Sequence, residues 1–507
     1  MTSSTTPHSA AGGAHRLGLV TGASGYVGGE LVGRLLDEGW RVRVLTRHRS
    51  GLDAAAWADR IAPAGRDAAR GEVEVVEGDA ASERDLARAL DGVEVAWYLL
   101  HSMGDVDDFE RAEREMAEGF ARQSRAAETR RLVYLGGLHP DGGELSAHLR
   151  SRGEVGRILL GSGVPTAALS AGVVVGAGSS SFRMLQGLAE RLPGAFGPRW
   201  LRNEITPIAV RDLLHYLVRA ADLPEAESRA FDIGGPDTLP YAAMLARYAR
   251  VAGRGHRPVL TIPVMTPRMA SLWIAMVTGI PRGLVRPIVE SILHDTVVKE
   301  RDLEALVGAP AGGALGFDDA VREATRGRDL RRWRRILAQT GGAVALTALI
   351  GSAATNPGSR WYRGLRKPSF QPPAWAFPVA WTALYALIAA MGSLARMDLA
   401  EAHEMDGERD ADDVRSPRWR YDLALAVNLL LNAGWSAVFF RGKRLGAATA
   451  VAAALAASSA DLAARTGATA PERGVLLAPY AAWTAFATAL TGAIAALNRG
   501  GRGRTTR

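Results

Sequence analysis

The first third of the chain alternates short apolar runs with amphipathic stretches. LGLVTGASGYVGGELVGRLLDEGWRVRVLTR (residues 17–47) reads as strand, glycine turn, apolar-periodic helix and strand. Further apolar runs follow in VEVVEGDAAS, VAWYLLHSM, LVYLGGLHP and GVPTAALSAGVVVGAG. Strands separated by helical patterns predict an α/β Rossmann-type doubly wound parallel sheet. Beyond residue 335 the pattern changes. Uncharged stretches span Ile336–Ser359, Pro368–Ala395, Leu423–Phe440, Leu445–Ala460 and Gly474–Asn498. A bilayer crossing needs about 20 apolar residues. These stretches predict an all-α five-helix transmembrane bundle; the Leu445 stretch is the weakest, because it reaches crossing length only by taking in Asp461. An acid at mid-membrane costs about 2.5–3.5 kcal/mol.

The expected organisation is a disordered tail (1–16), a nucleotide-binding domain (17–305), a basic linker (306–335), the membrane domain (336–498) and a basic tail (499–507). MASLWIAMVTGI (269–280) is apolar but too short to cross. It reads as a core helix, or as a lip that touches membrane or covers the nucleotide cleft. Net charge is +8 and cysteine is absent, which excludes disulfides and thiolate chemistry. The histidines show no ligand spacing, so no metal is expected. No aromatic–basic interleaving points to nucleic acid. The N-terminus lacks an apolar signal core, which places the first domain in the cytoplasm of a multi-pass cell-membrane protein. Basic residues near the spans number 14 on that side against 11 on the other, a small positive-inside bias.

Gly22, Gly25 and Gly28 supply a G-x-x-G-x-x-G turn between strand and helix, with Ser24 and Tyr26 inside it. The glycines suit a tight turn, close approach of a pyrophosphate and helix–sheet packing, so all five residues are candidate contacts for a nicotinamide dinucleotide. Arg47 stands where an acid would hold ribose hydroxyls. It favours NADP(H) over NAD(H) if it pairs with a 2′-phosphate; otherwise it is a surface residue. Asp79 either sits near the adenine or caps the helix that starts near Ser82.

Residues 17–300 resemble the extended or atypical short-chain dehydrogenase/reductase family. The resemblance implies a serine and a Tyr-x-x-x-Lys pair in working members. Here Gly136 and Gly137 fall at the serine, and His148 and Arg152 at the pair. These two are either a modified acid/base unit or residues left after loss of activity.

SRWYRGLRKPSFQPPAWAFPVAWTALY (359–385) packs prolines and aromatics into what reads as a stiff inter-span loop running into a helix. With NLLLNAGWSAVFF and PYAAWTAFATAL it resembles the TspO/MBR family of tryptophan-rich sensory proteins. That resemblance implies a membrane pocket for porphyrins, sterols or drug-like ligands, lined here by Trp381, Tyr385, Asn432, Trp435, Trp483 and Ala487. The same rings and amides also read as an interfacial belt with helix-packing amides. Ala447, Thr491 and Gly492 depart from the family pattern, which favours a tetrapyrrole or isoprenoid-like hydrophobic ligand over a sterol. A homodimer is compatible with the sequence. Three functions fit: a nucleotide-regulated ligand sensor or transporter, an NADPH-dependent oxidoreductase on a lipophilic substrate, and a folded domain merely anchored at the membrane.

Overall fold

The structure is a computed structural model that describes residues 16–100, 109–140, 146–192, 194–255, 259–261, 266–405 and 416–499. All of the expected N-terminal tail but Arg16, residues 406–415, and all of the expected basic C-terminal tail but Arg499 lie outside these residues. The chain divides into two compact units. One comprises Met1–Ala189, Gly194–Pro267 and Arg286–Arg326; the other comprises Glu190–Pro193, Arg268–Val285 and Gly327–Arg507.

The first unit is built on seven strands paired in parallel: β1 (Leu17–Thr21), β2 (Arg41–Thr46), β3 (Val73–Glu77), β4 (Val95–Tyr98), β5 (Arg131–Gly137), β6 (Thr166–Ala171) and the edge strand Arg229–Ile233. Their order across the sheet is β3-β2-β1-β4-β5-β6-edge, so the chain reverses direction between β1 and β4. Ligands bind outside the carboxyl ends of strands at such a switch point. The central strands β1 (LGLVT) and β4 (VAWY) are uncharged and buried because helices cover both faces, whereas β2, β3 and the edge strand also carry charged residues. α1 (Tyr26–Asp37) buries Leu31, Val32, Leu35 and Leu36, whereas α2 (Glu83–Leu90) and α3 (Phe109–Ala126) bury Leu86 and Phe120 in a separate cluster. Gly18 is required in β1, since a Cβ there would lie 2.6 Å from the buried Trp97 ring. Ser82 caps α2 by accepting the Asp85 N–H at 3.3 Å. Asp79 instead accepts the Ala81 N–H at 3.0 Å, which corrects the reading of Asp79 as the cap.

The second unit contains five helices long and apolar enough to cross a membrane: Arg332–Ala354, Ala376–Ala402, Pro417–Arg441, Leu445–Thr469 and Pro471–Leu497. These are spans one to five. Four of the five start at or before their uncharged stretches, and spans two, three and four run past the ends of theirs, because segments that carry charged residues extend the helices. The second span is the exception at its start: Pro368, Pro372 and Pro373 precede the helix instead of opening it. The loop before it is not wholly irregular either; Ser359 caps a short helix, Arg360–Gly364. Asp461 is accommodated in span four by an ion pair with Arg465 one turn on, at 2.7 Å. Spans four and five approach closely through small residues, and a Cβ on Gly474 would lie 2.8 Å from the Gly467 Cα.

One end of this bundle is tied by buried charge. Asp398 of span two accepts from Arg473 of span five at 2.6 Å and from Arg191 at 2.7 Å. Arg191 also reaches Glu401 at 3.1 Å, and both arginine side chains are almost fully buried. Arg396 joins the same end, donating to Asp422 of span three at 2.7 Å and Thr340 of span one at 2.8 Å. Removing one member of a buried ion cluster strands the others and costs about 3–5 kcal/mol. Asp398→Ala is therefore expected to lower the melting temperature of the detergent-solubilised protein by many degrees, whereas Asp461→Ala, which removes an exposed pair, changes it little.

Candidate functional site

The first candidate site lies at the β1/β4 switch point. The Gly25 N–H donates to the Gly22 carbonyl at 3.0 Å, closing the turn, and α1 starts at the next residue. Gly22 has φ +76°, which L side chains rarely adopt, and a Cβ on Gly28 would lie 2.2 Å from the Gly22 carbonyl oxygen. Only glycine fits at both positions. The resulting bare backbone at a helix N-terminus is the cradle that a pyrophosphate needs.

A cavity of about 300 Å³ opens beside this turn. Its walls include Gly22, Gly25, Tyr26, Gly28, Gly136, Gly137, His148 and Arg152, so residues spread over 130 positions come together. Among the described residues, Ser24, Arg47 and Asp79 are exposed and outside these walls, at the ends of β1, β2 and β3. Tyr26 packs over the loop of Gly176 and Gly178; burial and the nearby Glu30 push its hydroxyl up to about 12. Ser179, Ser180, Ser181, Ile288, Ser291 and Thr296 complete the cavity. Sequence reasoning missed these, and 291 and 296 carry no local signal because they arrive from far along the chain.

His148 and Arg152 sit one turn apart on α4 (Ala147–Leu160), whose N-terminus Ser146 caps by accepting the Leu149 N–H at 3.2 Å. Burial, and then the neighbouring Arg152 guanidinium, lower the His148 imidazole to about 4. It is neutral at pH 7 and so lacks the imidazolium proton that a general acid would give. Arg152 is occupied in structure, donating to the Leu135 carbonyl at 2.9 Å. Gly136 and Gly137 leave no hydroxyl at the end of β5. On the other side of Arg152 lies a second cavity of about 510 Å³, lined by Glu110, Arg114, His139, Arg150, Glu154 and Arg157 among others.

The second candidate site is in the bundle. Tyr385 donates to Asn432 at 2.8 Å, Asn432 donates to Tyr480 at 3.2 Å, and Tyr480 donates to Asn428 at 2.8 Å. Asn428 then donates to Ser459 at 3.1 Å, so one polar chain links spans two, three, five and four. Trp381 packs beside it, 5.4 Å from the Tyr385 ring and 6.4 Å from Tyr480. Trp483 joins the same apolar cluster. Trp435 does not: it stacks on Phe439 at 5.5 Å in a second cluster with Trp361 and Tyr362. Phe377, 6.1 Å from Trp483, and Phe486, 5.6 Å from it, connect the two. Ala487 is half-buried on the same helix as Trp483, and its carbonyl accepts the Thr491 hydroxyl at 2.7 Å. A π-helical turn at Ala437–Arg441, unforeseen from sequence, carries Phe439 and Phe440. Two polar atoms are buried here without a partner among the described residues: the Trp435 indole N–H and the Gln371 amide oxygen. Buried indoles normally find an acceptor.

Sequence profiles match both parts of the chain. The profile described as TspO/MBR family matches residues 340–497, and one described as NAD(P)H-binding matches residues 22–150. A tryptophan-rich sensory protein of Cereibacter sphaeroides is 37% identical over 136 residues, covering 26% of this chain and 72% of that protein. The chain belongs to the TspO/MBR family. The human translocator protein is 30% identical over 162 residues, covering 32% of this chain and 89% of the relative. The other part of this TspO/MBR protein is an NAD(P)H-binding domain. It is similar to a (4-alkanoyl-5-oxo-2,5-dihydrofuran-3-yl)methyl phosphate reductase of Streptomyces griseus, 28% identical over 239 residues, 46% of this chain and 74% of that enzyme. The chain is thus a fusion, and its family and five apolar helices make it a multi-pass membrane protein.

The depressed His148 has a consequence for stability. A histidine held below its unfolded value near 6.5 takes up a proton more readily when unfolded, so the stability it supports is full above that pH and falls as pH drops toward 4. His148→Gln is expected to flatten the acid limb of stability between pH 6.5 and 4, read by denaturant titration at stepped pH.

Proposed function

We propose that this protein binds NADP(H) in its first unit and a flat hydrophobic ligand, tetrapyrrole or isoprenoid-like, in its membrane bundle, and that nucleotide occupancy regulates ligand sensing or transport. The observation that carries the ligand half is the unpartnered Trp435 N–H within an aromatic lining, which offers a donor to the polar edge of such a ligand. Trp381, Tyr385, Asn432, Trp483 and Ala487 complete the lining in this reading. The nucleotide half rests on the Gly22–Gly28 cradle, with Ser24 and Tyr26 beside it, Arg47 toward a 2′-phosphate and Asp79 toward the adenine. The cofactor, where bound, supplies a hydride donor. Regulation is favoured over turnover because Gly136 and Gly137 carry no hydroxyl and the neutral His148 lacks the imidazolium proton of a general acid at pH 7. The reading takes 17–305 as the nucleotide domain, 306–335 as linker and 336–498 as membrane domain, with the nucleotide side cytoplasmic in the cell membrane.

Calorimetry with protoporphyrin IX as the probe tests this. Its affinity is expected to differ with and without NADPH; equal affinities sink the regulatory claim. Trp435→Phe is expected to weaken the probe roughly three- to tenfold while leaving the melting temperature unchanged, the size of one lost hydrogen bond. Arg47→Ala is expected to weaken NADPH about ten- to a hundredfold and to spare NADH, read by nucleotide fluorescence titration.

A second reading, an NADPH-dependent reductase of a lipophilic substrate, is favoured by one observation: the larger cavity shares Arg152 and Gly136 with the nucleotide cleft. In that reading a hydride passes from the reduced nicotinamide to an electrophilic carbon and a proton comes from water. NADPH oxidation with a quinone or isoprenoid aldehyde in mixed micelles would support it, and its absence across such a panel would remove it.

A further inference from the structure

The helix α8 (Pro267–Thr278) belongs wholly, from Arg268 on, to the second unit, the one that contains the five spans. It buries Ala270, Ser271, Ile274, Ala275, Val277 and Thr278. The opposite stripe is apolar too. Met269 is 58% exposed and Leu272 43%, and Trp273 and Met276 are half-buried. Positions 269, 272, 273 and 276 follow i, i+3, i+4, i+7, so they form one continuous line on the helix surface. That degree of exposure matches the outward residues of span one, Leu346 at 58% and Ile350 at 48%. In a water-facing helix such a stripe is costly, since each large apolar side chain forfeits about 1.5–3 kcal/mol of burial.

The position of α8 relative to the spans is fixed by hydrogen bonds. Arg473, three residues into span five, donates to the Met276 carbonyl at 2.7 Å. Arg191 donates to the Val277 carbonyl at 2.9 Å. These carbonyls belong to the last turn of α8, which the helix itself leaves unsatisfied. Gly279, just beyond, has φ +72°, and a Cβ there would lie 1.9 Å from the Asp398 carboxylate. Thus the C-terminal end of α8 is seated on Asp398, Arg191 and Arg473, at the level where span two ends and span five begins. Arg268 at its start and Arg282 and Arg286 just after it are exposed. Twelve residues, about 18 Å of helix, cannot cross a bilayer. A short helix with an apolar stripe, flanking arginines and an indole is the composition of an interfacial element.

We propose that α8 is an interfacial membrane helix, which seats the Met269–Leu272–Trp273–Met276 stripe at the headgroup–acyl boundary of the bilayer that the five spans cross. The argument for lipid as the occupant is continuity: the helix that carries the stripe is hydrogen-bonded to the start of span five, within the unit whose five apolar helices cross the bilayer. The buried charge cluster then has a second role, since it holds the helix at that depth.

The absence of cysteine makes the test direct. Leu272→Cys and, separately, Met269→Cys are labelled with NBD in the full-length protein and reconstituted into phosphatidylcholine–phosphatidylglycerol vesicles. Glu225→Cys, at an exposed position of the first unit, is the reference. Labels at 272 and 269 are expected to emit further to the blue than the reference, to lose most of their emission to lipids carrying a headgroup-proximal nitroxide, and to resist iodide. Iodide access equal to that at 225 overturns the proposal. Protection from iodide without nitroxide quenching also overturns it, because the stripe would then be covered by protein.

Discussion

Asp398 carries the interaction on which the second unit depends. It pairs with two buried guanidinium groups, Arg191 and Arg473, which come from 207 and 75 residues away in sequence, and Glu401 supplies the second negative charge through Arg191. Two arginines so close would repel each other and would each lose hydration without recompense. The Asp398 and Glu401 carboxylates together offset these penalties. The partners of Asp398 also donate to the last carbonyls of α8, so one acid satisfies groups from three separate stretches of chain. Glu401 and Arg328 extend the cluster at 3.4 Å.

The same rule of complete satisfaction governs the membrane interior. Every amide and hydroxyl of the Tyr385–Asn432–Tyr480–Asn428–Ser459 chain has a partner, and the chain crosses four helices. Such bonds contribute modestly one by one inside membranes, yet together they fix which faces of the helices meet. Against that background the free Trp435 N–H and Gln371 oxygen are exceptions. Such groups are few in folded proteins, and each calls for a physical explanation. The nucleotide cleft follows a different logic: there the protein supplies bare backbone, and glycine at 22 and 28 keeps side chains out of the way.

Fold class was legible because two periodicities are strong. Short apolar runs between amphipathic helices specify a parallel sheet, and long uncharged runs specify spans. Boundaries were less legible. Arg332 and Arg335 stand in the helix that becomes span one, and Asp398 and Glu401 in the one that becomes span two, because charges at a span's end find partners or snorkel. The proline run was read as loop, and a capped turn within it, Arg360–Gly364, went unseen. The partial π-turn after Trp435 has no sequence mark at all.

The sequence by itself determined the glycine turn, the alternation that builds the sheet, the number of spans and the aromatic-rich motifs on them, because each depends on neighbours within a few residues. Tertiary structure alone decided that His148 is held neutral, that Trp435 packs apart from Trp381 and Trp483, and that residues 268–285 belong with the bundle. Those outcomes depend on burial and on charges brought from far along the chain. Neither is encoded in local pattern.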